Sequence, residues 1–269
     1  MIGIFDSGLG GLTVMKELIK ALPNEDIIYF GDTARVPYGN KSAETVIRYS
    51  MEISQFLIEH EIKLLVVACN TASAYALNHI QNEVDIPVVG VIDPGAFRAV
   101  MITENQNLAV LGTTATINSG AYQSAILSYC PGAEVWTIPC PLFVPLVEEN
   151  FLYHEATKLI IREYLSPLQD KQIDTVLLGC THYPMMKTLI QEELGAHVNI
   201  VDSASSCAQK VSDLLNDENL LNEKRSSEYR FYVSDDPVKF QQAGSQFLGL
   251  PIGLVTHVDE LTTPKEVKS

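Results

Sequence analysis

No stretch of this 269-residue chain approaches the roughly 20 consecutive apolar residues that a membrane span needs. Basic residues are scarce: 18 Lys and Arg stand against 33 Asp and Glu, and the formal charge of −15 repels phosphate backbones and anionic lipid alike. Neither nucleic acid nor membrane is an expected partner. Cysteine is sparse and odd in number. Cys69, Cys130, Cys140, Cys180 and Cys207 form no C-x-x-C pair and have no His-x-x-x-His alongside, so neither a disulfide framework nor a zinc site is expected. Reduced thiols and no metal follow. The opening Met1-Ile2-Gly3-Ile4-Phe5-Asp6 lacks the basic flank of a signal peptide and reads as a strand, which makes the cytoplasm the expected location.

A nucleotide signature is also missing. Gly8, Gly10 and Gly11 lie between a strand and a helix, but Thr13 stands where G-x-G-x-x-G needs its last glycine, and no Gly-Lys-Ser/Thr follows. The turn still offers backbone N–H groups to a small anion such as a carboxylate.

What is present is alternation. Apolar runs at Ile2–Phe5, Ile27–Phe30, Leu64–Ala68, Val88–Ile92, Leu108–Leu111, Val135–Ile138, Thr175–Leu178, Val198–Val201 and Arg230–Ser234 read as strands. Amphipathic segments at Leu12–Leu22, Ala43–Glu61, Ala72–Glu83, Ser119–Ser128, His154–Ser166, Met186–Leu194 and Ala204–Leu215 read as helices between them. Residues Asn216–Glu228 and His257–Ser269 are polar and read as a loop and a tail. Strand–helix alternation predicts an α/β fold of mainly parallel sheets flanked by helices, with ligands at the carboxyl ends of the strands.

The pattern occurs twice. Leu65-Val66-Val67-Ala68-Cys69-Asn70-Thr71 and Val176-Leu177-Leu178-Gly179-Cys180-Thr181-His182 are both an apolar strand, a cysteine, then small polar residues opening a helix. Each is preceded by a strand and a small polar turn, Asp6-Ser7-Gly8 in one case and Gly112-Thr113-Thr114-Ala115-Thr116 in the other. Asp6 lies 63 residues before Cys69, and Thr113 lies 67 before Cys180. Two similar domains with the active site in the cleft between them are expected: residues 1–95 with about 210–269, and residues 96–209, the boundary falling after Asp93-Pro94-Gly95.

Each candidate has an ordinary reading beside the functional one. A cysteine at a helix N-terminus has its thiolate favoured by unpaired backbone N–H groups, and lowered pKa values are expected for Cys69 and Cys180 on that ground; most free cysteines are simply small buried apolar residues. Cys130, Cys140 and Cys207 have no strand-end setting and read as structural. Asp6 and Asp32, just past strand ends, would meet a substrate ammonium or tune a thiol, or Asp6 would only cap a helix. His182 would exchange a proton with thiol or substrate, or merely start a helix, and Glu148 would assist the site or face solvent.

Asp6-Ser7-Gly8, Gly31-Asp32, Val36-Pro37-Tyr38-Gly39, Ala68-Cys69-Asn70-Thr71-Ala72, Phe143-Val144-Pro145-Leu146-Val147-Glu148 and Gly179-Cys180-Thr181-His182-Tyr183-Pro184 together resemble the glutamate racemases of the aspartate/glutamate racemase superfamily. The resemblance runs the length of the chain. The form Cys180-Thr181-His182 is similar to glutamate enzymes, whereas aspartate racemases carry an acidic residue at position 182. It implies racemisation of glutamate without cofactor or metal, Cys69 acting on D-glutamate and Cys180 on L-glutamate, with Asp6, Glu148 and His182 assisting. Substrate would contact Asp6, Ser7, Asp32, Pro37, Tyr38, Gly39, Asn70, Thr71, Thr113, Thr116, Thr181 and His182. The implied role is supply of D-glutamate for peptidoglycan, and a homodimer is the expected assembly. Other readings are an aspartate or hydantoin racemase, a decarboxylase on the same scaffold, and a two-lobed dicarboxylate-binding protein.

Overall fold

The computed structural model describes residues 1–223 and 227–261. Residues 224–226, within the expected 216–228 loop, and residues 262–269 of the expected tail lie outside the described residues.

The chain begins with β1 (Ile2–Asp6), α1 (Leu12–Ala21), β2 (Ile27–Gly31), α2 (Ala43–Ile58), β3 (Leu64–Val67), α3 (Asn70–Tyr75), α4 (Leu77–Glu83), β4 (Val88–Gly90) and α5 (Ile92–Ile102). It continues through β5 (Asn107–Gly112), α6 (Thr114–Asn118), α7 (Ala121–Tyr129), β6 (Glu134–Pro139), α8 (Phe143–Glu148), α9 (Glu155–Leu165), β7 (Thr175–Gly179), α10 (Lys187–Leu194), β8 (Asn199–Asp202) and α11 (Ser203–Asp217). It ends with β9 (Tyr229–Val233), α12 (Pro237–Leu248) and β10 (Val255–His257).

Two sheets result, in the orders β10-β9-β2-β1-β3-β4 and β6-β5-β7-β8. Every strand pair in both is parallel. The order 2-1-3-4 of the first four strands recurs as 6-5-7-8, so the internal repeat in the sequence is a repeat of topology. Helices cover both faces, which is why β1, β2, β3 and β7 are buried at every residue and read as unbroken apolar runs. In each sheet the order reverses between the first and third strands of the repeat, and the turns after β1 and β3, and after β5 and β7, open at these crevices.

Local chemistry accounts for the helix bounds. Ser42 caps α2 by accepting from the Thr45 amide at 3.3 Å, and Val46, Ile53 and Leu57 then form its buried face. Asp202 caps α11 through the Ser205 amide at 3.0 Å. Ala204, Cys207, Ala208, Val211 and Leu215 make its inner face, which packs against both α1 and α5. The largest apolar cluster accordingly runs unbroken from Ile4 and Leu12 through Ala208 to Leu178, joining the two sheets in one core.

Several elements differ from expectation. The helix predicted over Ala72–Glu83 begins at Asn70 and is interrupted at Ala76. The predicted strand Val88–Ile92 stops at Gly90, and Asp93-Pro94-Gly95 lies in the first turn of α5, where proline has no amide to lose. The helix predicted over Ser119–Ser128 begins at Ala121, after Gly120 at φ +68°, and α6 precedes it where the sequence reads a small polar turn. The predicted tail begins inside β10, and α12, α8 and β10 have no counterpart in the sequence reading. Among the described residues no helix is long and apolar enough to cross a membrane.

Helix α12 docks on α1 through a residue without a side chain. A β-carbon at Gly244 would sit 2.7 Å from Ile252 Cδ1 and 2.9 Å from Leu12 Cδ1. Gly244→Val should therefore cost about 1–3 kcal/mol by overpacking, read as a lower urea midpoint with an unchanged slope; an unchanged midpoint would show that α12 is not packed in this way.

Candidate active site

Cys69 and Cys180 occupy equivalent places, directly beyond the carboxyl ends of β3 and β7, and both open onto one cavity of about 320 Å³ between the halves. Each is only 5% exposed. Cys69 is the N-cap of α3, its sulfur accepting from the Ala72 amide at 3.5 Å. The Cys180 sulfur accepts from the His182 amide.

Those amides do not decide the thiols' state. Burial pushes the Cys69 thiol up to about 12, with the Asp6 carboxylate adding to the rise and the Ala72 amide, Ser7 hydroxyl and Thr71 amide opposing it. Burial likewise raises Cys180 well above the usual thiol range, the His182 amide opposing and Cys69, Asp6 and Glu148 reinforcing. The expected lowering is therefore reversed. Removing a thiolate from water outweighs one or two amide hydrogen bonds, and both sulfurs are neutral thiols at pH 7.

Asp6 is fully buried one layer behind the wall, not in it. Its carboxylate accepts from the Gly8 amide at 2.9 Å and from Thr181 Oγ1 at 3.4 Å. Burial raises its pKa above the ordinary carboxyl value, against the opposing charge of His182 and the amides of Gly11 and Gly8. It does not cap a helix; Gly11 holds that position for α1. His182 Nε2 lies 2.9 Å from Glu148 Oε1, with the imidazole only 2% exposed and its ring packed at 79° against that of Phe247. Thr181 links the two groups, its hydroxyl lying 3.5 Å from His182 Nδ1.

Ser7, Pro37, Tyr38, Gly39, Asn70, Thr71, Thr113, Glu148, Thr181 and His182 all line the cavity, as the sequence predicts for residues of the site. Asp32 and Thr116 do not. The Asp32 carboxylate is occupied by Arg35 Nε at 2.7 Å, Ser234 Oγ at 2.8 Å and the Tyr38 hydroxyl, so it holds Tyr38 from behind. Thr116 sits under Thr71 and Thr113, bonded to both hydroxyls at 3.0 and 2.9 Å. The wall also includes Val36, Asn40, Thr114, Pro141, Val144 and Pro145. Val36, Val144 and Pro145 belong to strings that carried the family resemblance, and Thr114 to the polar turn of the second repeat; Asn40 and Pro141 gave no signal. Cys130, Cys140 and Cys207 stay off the wall, the last two buried.

Among the described residues the wall contains no Lys or Arg. Its uncharged donors are the hydroxyls of Ser7, Thr71, Thr113 and Thr181, backbone amides, and Asn70, whose Nδ2 is buried and has no partner among the described residues. Two neutral thiols, a carboxylate–imidazole pair and several uncharged donors around one small cavity suit proton transfer at a carbon held between the sulfurs, in a ligand that carries carboxylate.

The family model for Asp/Glu/hydantoin racemase matches residues 2–211, about three quarters of the chain. The protein belongs to this family. It is a racemase. The glutamate racemase of Geobacter metallireducens is 54% identical over 258 residues, with 96% of each chain covered. A glutamate racemase isoform from Bacillus anthracis superposes with a TM-score of 0.94 at 38% identity, over 96% of this chain and 97% of that one. The glutamate racemase of Francisella tularensis in complex with D-glutamate gives 0.91 at 42% identity, over 96% and 97%.

The raised thiols fix the sign of an alkaline effect on this racemase. Unfolded, each cysteine ionises near about 8.5; folded, Cys69 and Cys207 hold their protons to about 12. Their contribution is complete below about pH 8.5 and is lost as pH rises toward 12, at up to about 1.4 kcal/mol per pH unit for each thiol. Urea unfolding from pH 8 to 11 should show this loss, and Cys207→Ala should reduce its slope; an equal slope in that variant would refute the assignment.

Proposed function

We propose that the protein interconverts L- and D-glutamate by moving a proton between two thiols on opposite faces of Cα, without a cofactor. The observation that carries this reading is the pair of cysteines at equivalent strand ends facing one cavity. Inversion needs a proton carrier on each face, since a single base would return the proton to the side it came from. One sulfur, as thiolate, takes the Cα proton, forming S–H and leaving the electron pair on carbon; the opposite thiol then gives its proton to the other face. By family resemblance Cys69 acts on D-glutamate and Cys180 on L-glutamate.

Because burial holds both thiols in their protonated form, the charge that permits a thiolate comes with the substrate. The α-ammonium of glutamate, brought beside a buried sulfur, opposes the burial effect directly. Asp6 stands behind Cys69, and the Glu148–His182 pair stands toward Cys180; each is suited to take up or return the ammonium or thiol proton on its own side. The hydroxyls of Ser7, Thr71, Thr113 and Thr181, with the Asn70 amide, hold the carboxylates. Glutamate as substrate is supported by the names of the relatives, by the Francisella complex with D-glutamate, and by histidine rather than an acidic residue at position 182. Residues 1–95 with about 210–269, and 96–209, are then the two domains that enclose it. Supply of D-glutamate for peptidoglycan is the corresponding role.

The deciding experiment is polarimetry on pure L-glutamate: rotation should decay to zero, and L-aspartate should give no decay. Retained rotation with glutamate ends this reading. In D2O, early D-glutamate should carry deuterium at Cα while the remaining L-glutamate stays protiated, as two separate proton carriers require. Cys69→Ala and Cys180→Ala should each lower turnover by about 10²–10⁴-fold, the range of a lost acid or base, while leaving the melting temperature within a few degrees. Near wild-type turnover of either variant in both directions would overturn the two-thiol mechanism. Dialysis against EDTA should leave activity intact; a loss restored by a divalent ion would contradict cofactor independence.

A further inference from the structure

Tyr122 belongs to neither thiol motif, yet it touches both. Its ring lies against Gly179, the residue before Cys180, where a β-carbon would come within 2.8 Å of Tyr122 Cε2. Its hydroxyl crosses to the other half and donates to Asn70 Oδ1 at 2.5 Å, next to Cys69. Tyr122 is 2% exposed and does not line the cavity. Asn70 does line it, is 2% exposed, and has its Nδ2 buried without a partner among the described residues.

An asparagine amide has one accepting and one donating end, and the two can exchange by a half turn about the side chain. A phenol that donates to the oxygen leaves the N–H end for the ligand. With Oδ1 held by the phenol, the N–H groups are the end left for a ligand; turned the other way, a carbonyl oxygen would meet an anionic substrate in a wall without Lys or Arg. We infer that Tyr122 is a positioning residue that fixes the Asn70 amide, so that Asn70 donates to a carboxylate of the substrate. The inference rests on the proposed reading of the cavity as a glutamate site. The tyrosine comes from α7 and the asparagine from α3, so the same bond forms only when the two halves are correctly placed.

The test is Tyr122→Phe, which keeps the ring against Gly179 and removes only the hydroxyl. KM for both enantiomers should rise about tenfold, the usual scale for a weakened hydrogen bond to a charged group, while kcat changes less than about threefold. The glutamate Kd, measured by calorimetry, should rise equally in Tyr122→Phe and Asn70→Ala, and the double variant should be no worse than Asn70→Ala alone. Additive losses would mean that Tyr122 acts by holding the fold, and a KM within twofold of wild type would end the proposal. If Tyr122→Phe fails to fold, Asn70→Asp decides. It retains an oxygen for the phenol but has no N–H, so glutamate affinity should fall at an unchanged melting temperature; unaltered affinity overturns the inference. Absence of racemisation by the wild-type protein would instead refute the glutamate reading, a distinct outcome.

Discussion

With no β-carbon at residue 10, the turn after β1 comes close enough to Thr181 and His182 that any side chain there would overlap both. The contact is secured by Thr13, whose hydroxyl donates to the Thr181 carbonyl at 3.0 Å. Across the cavity Gly39 makes the same kind of approach to Thr113, and Thr71 bonds the Thr113 hydroxyl at 3.0 Å. The two sheets are thus held at a separation set by backbone and small side chains. Placement of the thiols, the burial of Asp6 and the enclosure of the cavity all depend on that separation, because a wider gap would admit water to each of them.

Burial is also what makes the chemistry demanding. A wall without Lys or Arg offers a bound carboxylate mainly dipoles, and dipoles held rigidly by a buried wall act more strongly than they would in water. The same surroundings keep both sulfurs protonated. Burial and the nearby amides thus oppose each other at each sulfur, and in the proposed mechanism the balance shifts when the ammonium of the substrate arrives. A pair of thiols kept as stable thiolates would instead repel each other and any carboxylate between them.

The sequence disclosed the parts of the molecule that obey local rules. Repeated apolar runs ending in Cys69 and Cys180 revealed the parallel strands and the duplicated order, because a strand buried on both faces must be apolar throughout. What escaped was set by tertiary surroundings. The thiol pKa direction depends on burial, which the helix-end placement of a cysteine does not report. Asp32 follows a strand end as Asp6 does, but only the fold brings Arg35, Ser234 and Tyr38 to its carboxylate. Helix α12 did carry a signal that went unread: Asp236 followed by Pro237 at the start, and Gly249 in the left-handed region at the end, are ordinary helix boundaries. Its pattern lay beyond the duplicated region, where no second copy drew attention to it.

The recurrence of strand order has a consequence for symmetry of another kind. Enantiomers are equal in energy, so the Haldane relation fixes the ratio of kcat/KM in the two directions at unity for any racemase. Duplicated backbones place one sulfur at each of two equivalent strand ends on the same cavity, and that much is even-handed. The surroundings are not: the buried Asp6 acts on both thiols but ranks directly after burial only at Cys69, and the carboxylate paired with His182 acts on Cys180. Such a site is free to bind one hand tightly and turn it over slowly while treating the other in the opposite way. The architecture balances what thermodynamics requires and leaves the remaining asymmetry open to selection.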